Sequence, residues 1–211
     1  MRNVIATLKK ICLFVGVLVT PALAQSWLQA GAAPASTGPA YDVSVGYTYL
    51  TMATPAAGRA NLKGLDVSGR INFRPRWGAM LDSNYVRTPD VLGTKHVGYL
   101  LSLQGGPVFY PVEHGNNRIF VHALAGVGLV DAAVPVSTTD YFHGWQSRFS
   151  YAFGGGVEHS VSGPFAVRVT GDYLRTAFFD AVGAVQPQNN FRLSVGLVFR
   201  LKNRQHPALS R

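Results

Sequence analysis

Cysteine is all but missing, with Cys12 the one thiol in 211 residues. Such a chain cannot staple itself with disulfides or build a thiolate metal centre, so its stability has to come from backbone pairing and packing. Long apolar runs are missing as well. The run at residues 11–19 falls far short of the roughly 20 residues a helix needs to span a bilayer, and no later segment is long and apolar enough either. Any membrane this chain meets is met by strands. Acid is scarce too, with 10 Asp and Glu against 19 Lys and Arg for a formal charge of +9. An excess of this size raises the question of nucleic acid. The cations are scattered, however, with no basic helix, concentrated run or recognition motif, so no nucleic-acid partner is expected. A basic surface facing phosphate-bearing membrane lipid is the better physical reading, and a merely solvated surface the plain one.

What is present begins with a leader. Arg2, Lys9 and Lys10 precede the apolar run, and Thr20, Pro21 and Ala22-Leu23-Ala24 follow it. Basic start, short apolar middle and small residues before Gln25 make a secretory signal peptide over residues 1–24, cut between Ala24 and Gln25. Cys12 sits just after the basic residues and away from that cut, which argues against a lipoprotein. The three cations leave with the leader, so +9 falls to +6 and the remaining chain has no cysteine. Residues 25–40, rich in Ala, Gly, Ser and Pro and without periodicity, read as a flexible leader to one domain over 41–201.

From Tyr41 apolar or aromatic residues alternate with small or polar ones in segments of about ten residues, the pattern of a transmembrane strand. Eight segments follow: 41–52, 62–73, 77–87, 96–110, 118–129, 147–159, 165–174 and 190–201. In the first, Val43, Val45, Tyr47 and Tyr49 share a face against Asp42, Ser44, Gly46 and Thr48. In the second, Leu65, Val67, Ile71 and Phe73 oppose Asp66, Ser68, Arg70 and Asn72. The last sets Phe191, Leu193, Val195, Leu197 and Phe199 against Arg192, Ser194, Gly196 and Arg200. The fifth is mixed, because Phe120 and Leu124 join His122 opposite Ile119, Val121 and Ala123. An even number of segments suits closure of an antiparallel barrel.

Connection lengths alternate in the same sense. Residues 74–76, 111–117 and 160–164 are short, whereas 53–61, 88–95, 130–146 and 175–189 are long. Bacterial barrels place short turns in the periplasm and long loops outside, which puts both chain ends on the periplasmic side. Tyr41, Tyr49, Phe73, Trp77, Tyr85, Phe109, Tyr110, Phe165, Tyr173 and Phe199 fall near strand ends, where two interfacial girdles are expected.

The segments Val45-Gly46-Tyr47-Thr48-Tyr49, Tyr151-Ala152-Phe153-Gly154-Gly155-Gly156-Val157, Val167-Arg168-Val169-Thr170-Gly171-Asp172-Tyr173 and the alternating final strand carry a resemblance. The chain resembles the OmpA-type or OmpX-type outer-membrane β-barrel domain over about residues 41–201. The resemblance implies an all-β, transmembrane, antiparallel up-and-down barrel of about eight strands in the cell outer membrane of a Gram-negative-type envelope. It also implies a final-strand aromatic, here Phe199, read by the barrel-assembly machinery; the basic tail 202–211 makes that signal internal. Adhesion, host interaction and envelope integrity are roles of the resembled family, which makes a structural or surface-interaction protein the expected function, with the four long loops free to meet a surface ligand.

Candidate chemistry is sparse. Gly154-Gly155-Gly156, Gly105-Gly106 and Gly126-Val127-Gly128 lack the Lys-Ser/Thr pair and helix of a phosphate loop, and strand glycines serve bending and close approach instead. No cofactor, metal site or catalytic residue is expected. A lipid A-modifying outer-membrane enzyme is one alternative, but alternation points Glu158 and His159 to opposite faces, which is wrong for a relay. Ser137, Asp140 and His143 lie in a long loop with nothing to fix their geometry. A soluble lipocalin-like carrier is another alternative and needs the faces reversed. A pore is disfavoured because about eight strands leave an interior just wide enough for side chains to fill. Inside, two ion pairs are expected: Asp172 with Arg192, opposed across the last hairpin, and Arg70 with Asp82, diagonal across the second and third strands.

Overall fold

The computed structural model describes residues 40–53, 58–91, 96–131, 134–135, 141–142, 144–179 and 185–201. The expected signal peptide, its cut between Ala24 and Gln25, the leader up to residue 39 and the tail 202–211 lie outside the described residues. Strands β1 (Ala40–Ala53), β2 (Arg59–Arg74), β3 (Trp77–Thr88), β4 (Gly98–His114), β5 (Asn117–Asp131), β8 (Trp145–Ser162), β9 (Phe165–Phe179) and β10 (Val185–Leu201) close into one antiparallel barrel, with β1 sealing against β10. Two short strands, β6 (Val134–Pro135) and β7 (Tyr141–Phe142), pair with each other within the connection between β5 and β8.

Alternation sorts the side chains as period two demands. Val45, Tyr47, Leu65, Leu81, Phe149, Phe153, Val195 and Leu197 stand exposed on the outside, while Ser44, Ser68, Arg70, Asp82, Asp172 and Arg192 are buried inside. A soluble carrier would have the opposite arrangement. The mixed fifth segment resolves the same way: Phe120, His122 and Leu124 all point inward. Aromatics flank the apolar band. Near the turns, Trp77 faces Phe109 and Phe165 faces Phe199 in register, with ring centroids 4.8 and 5.4 Å apart. Near the loops, Tyr85 stacks on Tyr99 at 6.0 Å. Tyr110 departs from the expected girdle, because its even-numbered place on β4 turns it inward, where it is buried.

The strands are longer than the sequence pattern suggests. They run from 12 residues in β3 to 18 in β8, against the roughly 9–11 that cross a bilayer. Residues 175–189, expected as a long loop, are mostly ladder, since Arg175 pairs with Asn189 and Phe179 with Val185. The outward positions described there are Arg175, Ala177, Pro187 and Asn189, so the large apolar alternation fades before the pairing does. At the opposite end the expected turns 111–117 and 160–164 shrink to Gly115-Asn116 and Gly163-Pro164. Gly115 and Gly163 hold φ of 55° and 54°, the left-handed region that a tight hairpin needs and that a side chain disfavours. Each short-turn hairpin carries a register shift just before its turn, at Asn72/Arg74, Phe109/Val112 and Ser160/Ser162, as β-bulges at barrel rims do.

Candidate functional site

The interior holds the chemistry of the molecule. Near the short turns, Asp42 on β1 lies opposite Arg70 on β2, and Glu158 on β8 opposite Arg168 on β9. Arg70 Nε donates to Asp42 Oδ1 at 2.8 Å and a second nitrogen reaches across the lumen to Glu158. Arg168 donates to the same Asp42 oxygen at 2.9 Å and to Glu158 Oε2 at 3.2 Å. Arg200 Nη2 closes on Glu158 Oε1 at 2.6 Å. Arg168 Nη1 is held further by Ser44 and Ser68, at 2.9 and 3.0 Å, a pair of hydroxyls themselves opposed in register. The Arg70 guanidinium sits between the rings of Phe120 and Tyr110, 5.2 and 5.6 Å from their centroids, within cation–π range.

A second cluster lies nearer the middle. Asp172 and Arg192 are register partners on β9 and β10, and Arg192 Nε donates to Asp172 Oδ2 at 2.7 Å. Arg192 Nη1 also reaches Asp82 Oδ2 on β3 at 2.8 Å. His122 Nε2 lies 2.8 Å from the other Asp172 oxygen, and Asn84 Nδ2 donates to Asp82 Oδ2 at 2.6 Å. Gly154 faces Asp172 across the β8–β9 pair, and a Cβ there would collide with its carboxylate. Between this cluster and the loops the lumen loses its charges and becomes mainly apolar, beside a hydrogen-bonded set of Thr176, Gln188 and Asn190. Leu50 faces Leu62, and Val86, Leu100 and Val130 form one row across three strands, with Leu174 and Phe178 buried beside them.

Of the four interior residues expected from the sequence, the fold brings Asp172 and Arg192 together and leaves Arg70 and Asp82 apart. Arg70 faces Met80, and Asp82 faces Ser68. Each has a better partner than its diagonal neighbour: Arg70 takes Asp42 directly opposite and Glu158 across the barrel, while Asp82 takes Arg192. Asp42, His122, Glu158, Arg168 and Arg200 complete the clusters and were not foreseen as partners. The Glu158–Arg168 pair was open to the hairpin argument that joins Asp172 to Arg192. The contacts across the lumen were not, because they depend on the stagger at which the barrel closes.

Nothing in these clusters forms a relay. Glu158 is engaged by three arginines, and His159, on the outer face of the same strand, pairs at 2.7 Å with Asn117. Ser137, Asp140 and His143 lie outside the described residues. Among the described residues no group of three or more His, Cys, Asp or Glu side chains could hold a metal ion.

Outward apolar strands, a closed ring of eight and a filled polar interior define a class, the small barrels that cross a membrane with strands. Residues 11–199 match the family described as the outer membrane protein beta-barrel domain, and the chain belongs to that family. Among solved structures it is similar to Neisserial surface protein A (NspA), with a TM-score of 0.63, 12% identity and 76% of this chain covering 97% of that one. It is also similar to Ail, the attachment invasion locus protein of Yersinia pestis, with a TM-score of 0.56, 18% identity and 78% of this chain covering 99% of that one. At these identities the likeness is one of fold. No curated protein matches by sequence.

Proposed function

We propose that the protein is a closed outer-membrane barrel whose work is done by its exterior: a structural or surface-interaction role in adhesion or envelope integrity. The observation that carries this reading is the filling of the lumen. Two layers of buried ion pairs and an apolar layer above them occupy the interior, which suits a barrel that holds its loops in place rather than one that conducts. Export with removal of residues 1–24, assembly through the outward Phe199 and contact with a surface ligand through the long connections belong to the same reading.

The test is direct. Protein reconstituted in planar bilayers is expected to show no stable conductance, and large, reproducible current steps would overturn the closed-barrel reading. A strain whose barrel has its four long connections shortened is expected to lose surface adhesion or envelope resistance while keeping the folded barrel in the outer membrane. Unchanged adhesion and resistance would remove the loops from the account.

A further inference from the structure

Outside the barrel, at the loop end of the apolar band, one register row joins Tyr49, Lys63, Arg87 and Tyr99 on four consecutive strands. Lys63 and Arg87 are direct register partners, and both point outward and are exposed. Opposed side chains in such a ladder stand about 5 Å apart at Cβ, and like charges so placed repel. The ion pairs of the described residues engage neither of them. The row continues to Asp131, two strands beyond Arg87. Directly below Lys63, Arg87 and Tyr99, toward the bilayer, stand Leu65, Tyr85 and Leu101 of the same three strands, with Tyr85 stacked on Tyr99.

We infer that Lys63 and Arg87 form a docking position for a phosphate of an outer-leaflet glycolipid headgroup, with Tyr49 and Tyr99 as its walls and the apolar surface around Leu65 and Tyr85 receiving the acyl chain beneath. An anion between the two cations converts a repulsive cross-strand pair into two charge-assisted hydrogen bonds. The height supplies the lipid part of the assignment. A free anion needs only the charges, whereas a phosphate carried on acyl chains also uses the aromatic and apolar surface immediately below, at the interface where tyrosines sit. The inference rests on the reading that the long connections face the cell exterior. Binding in detergent micelles does not depend on that orientation, so failure of one leaves the other standing.

The experiment follows the thermal unfolding midpoint of the full-length barrel in detergent against added lipid A carrying both phosphates, lipid A with its phosphates removed, and inorganic phosphate. The phosphorylated lipid is expected to raise the midpoint and the dephosphorylated lipid to do so at least tenfold less potently. Inorganic phosphate at matched concentration should have no effect that depends on Lys63 or Arg87. The K63Q/R87Q variant should need about tenfold more phosphorylated lipid for the same shift. Without lipid it should unfold at the wild-type temperature or above, because the repulsion is gone. The R74Q/R76Q variant, which removes the same charge at the turn between β2 and β3, should respond as wild type does. Three results would overturn the assignment: an unchanged response in K63Q/R87Q, an equal loss in R74Q/R76Q, or a Lys63- and Arg87-dependent shift with inorganic phosphate alone.

Discussion

Between the short turns and the middle of the barrel, the space is crossed by arginines that reach from one wall to carboxylates on another. Toward the loops the same cylinder is closed by Leu50, Leu62, Val86, Leu100, Leu174 and Phe178. The charged half is directional: Arg70 joins β2 to β8, and Arg192 joins β10 to β3. Those bonds form only when eight strands close with one stagger, so they select that closure against slipped ones. The apolar half demands less, since its leucines pack without direction and its Thr176, Gln188 and Asn190 hydrogen bonds join only the neighbouring strands β9 and β10. Buried ion pairs contribute little net stability over apolar packing of equal volume, yet losing one partner is costly. The lower half should therefore be intolerant of single changes and the upper half forgiving.

The largest effect is expected at Glu158, which answers Arg70, Arg168 and Arg200 from a fully buried position. Glu158→Ala leaves three guanidinium groups with Asp42 as the remaining carboxylate of the cluster. It should destabilise the barrel by about 3–5 kcal/mol in denaturant unfolding from lipid vesicles. A loss below about 1 kcal/mol, the range of exposed pairs, would mean that the cluster near the short turns is hydrated and that the contrast between the halves is false.

The second cluster allows a finer cut, because its members are unequally shared. Arg192→Ala takes the guanidinium from both Asp172 and Asp82, leaving them His122 and Asn84, whereas Asp172→Ala leaves Arg192 with Asp82. Arg192→Ala should then be the costlier, at about 3 kcal/mol, and Asp172→Ala the milder, at about 2 kcal/mol. The double variant should fall well short of the sum, since contacting residues couple. Strict additivity would show that the two do not interact and that the β9–β10 register is different.

That register was readable before any coordinates, and the reason is local. A hairpin fixes which residues oppose each other, and alternation fixes which face they share, so Asp172 and Arg192 followed from adjacent strands alone. Arg70 shows where such reasoning stops. Its cross-lumen partner is 88 positions away, on a strand it never pairs with, and only the closed stagger brings them together. Tyr110 was misplaced for another reason: its neighbours Phe109 and Pro111 look equally fit for a membrane interface, and one step of register decides which of them faces lipid. The apolar half of the lumen left a signal that alternation hides. Tyr49-Leu50, Leu100-Leu101 and Leu129-Val130 are apolar on both faces, and these are the places where the interior changes from charged to mainly apolar.

Leu62→Ala probes that apolar half. Removing a buried leucine side chain costs roughly 2–5 kcal/mol depending on how well the site collapses. Here the lower end, about 2–3 kcal/mol, is expected, because the partly buried Met52 packs against the cluster and a flexible thioether can move into the gap. Leu62→Met should cost less than about 1.5 kcal/mol. A Leu62→Met loss as large as that of Glu158→Ala would show that the apolar half is as exacting as the charged one.

The smallest effect is expected where the same chemistry lies at the rim. Glu113 and Arg118 are register partners on β4 and β5 and form an ion pair, just as Asp172 and Arg192 do on β9 and β10. Side-chain exposures of 42% for Glu113 and 24% for Arg118, against 1% and 3% for the buried pair, are what separate them. Water screens the rim pair and both partners stay hydrated when it breaks, so Glu113→Gln should cost no more than about 0.5 kcal/mol. Arg118 has a second attachment, its guanidinium lying 4.5 Å from the centroid of the buried Tyr110 ring, a contact worth about 0.5–1 kcal/mol at a partly exposed site. Arg118→Ala should therefore exceed Glu113→Gln by about that amount, and Tyr110→Leu should erase the difference. If Glu113→Gln instead matched Asp172→Ala, register alone and not burial would set the strength of these pairs, and the division of the lumen into an exacting and a forgiving half would lose its physical basis.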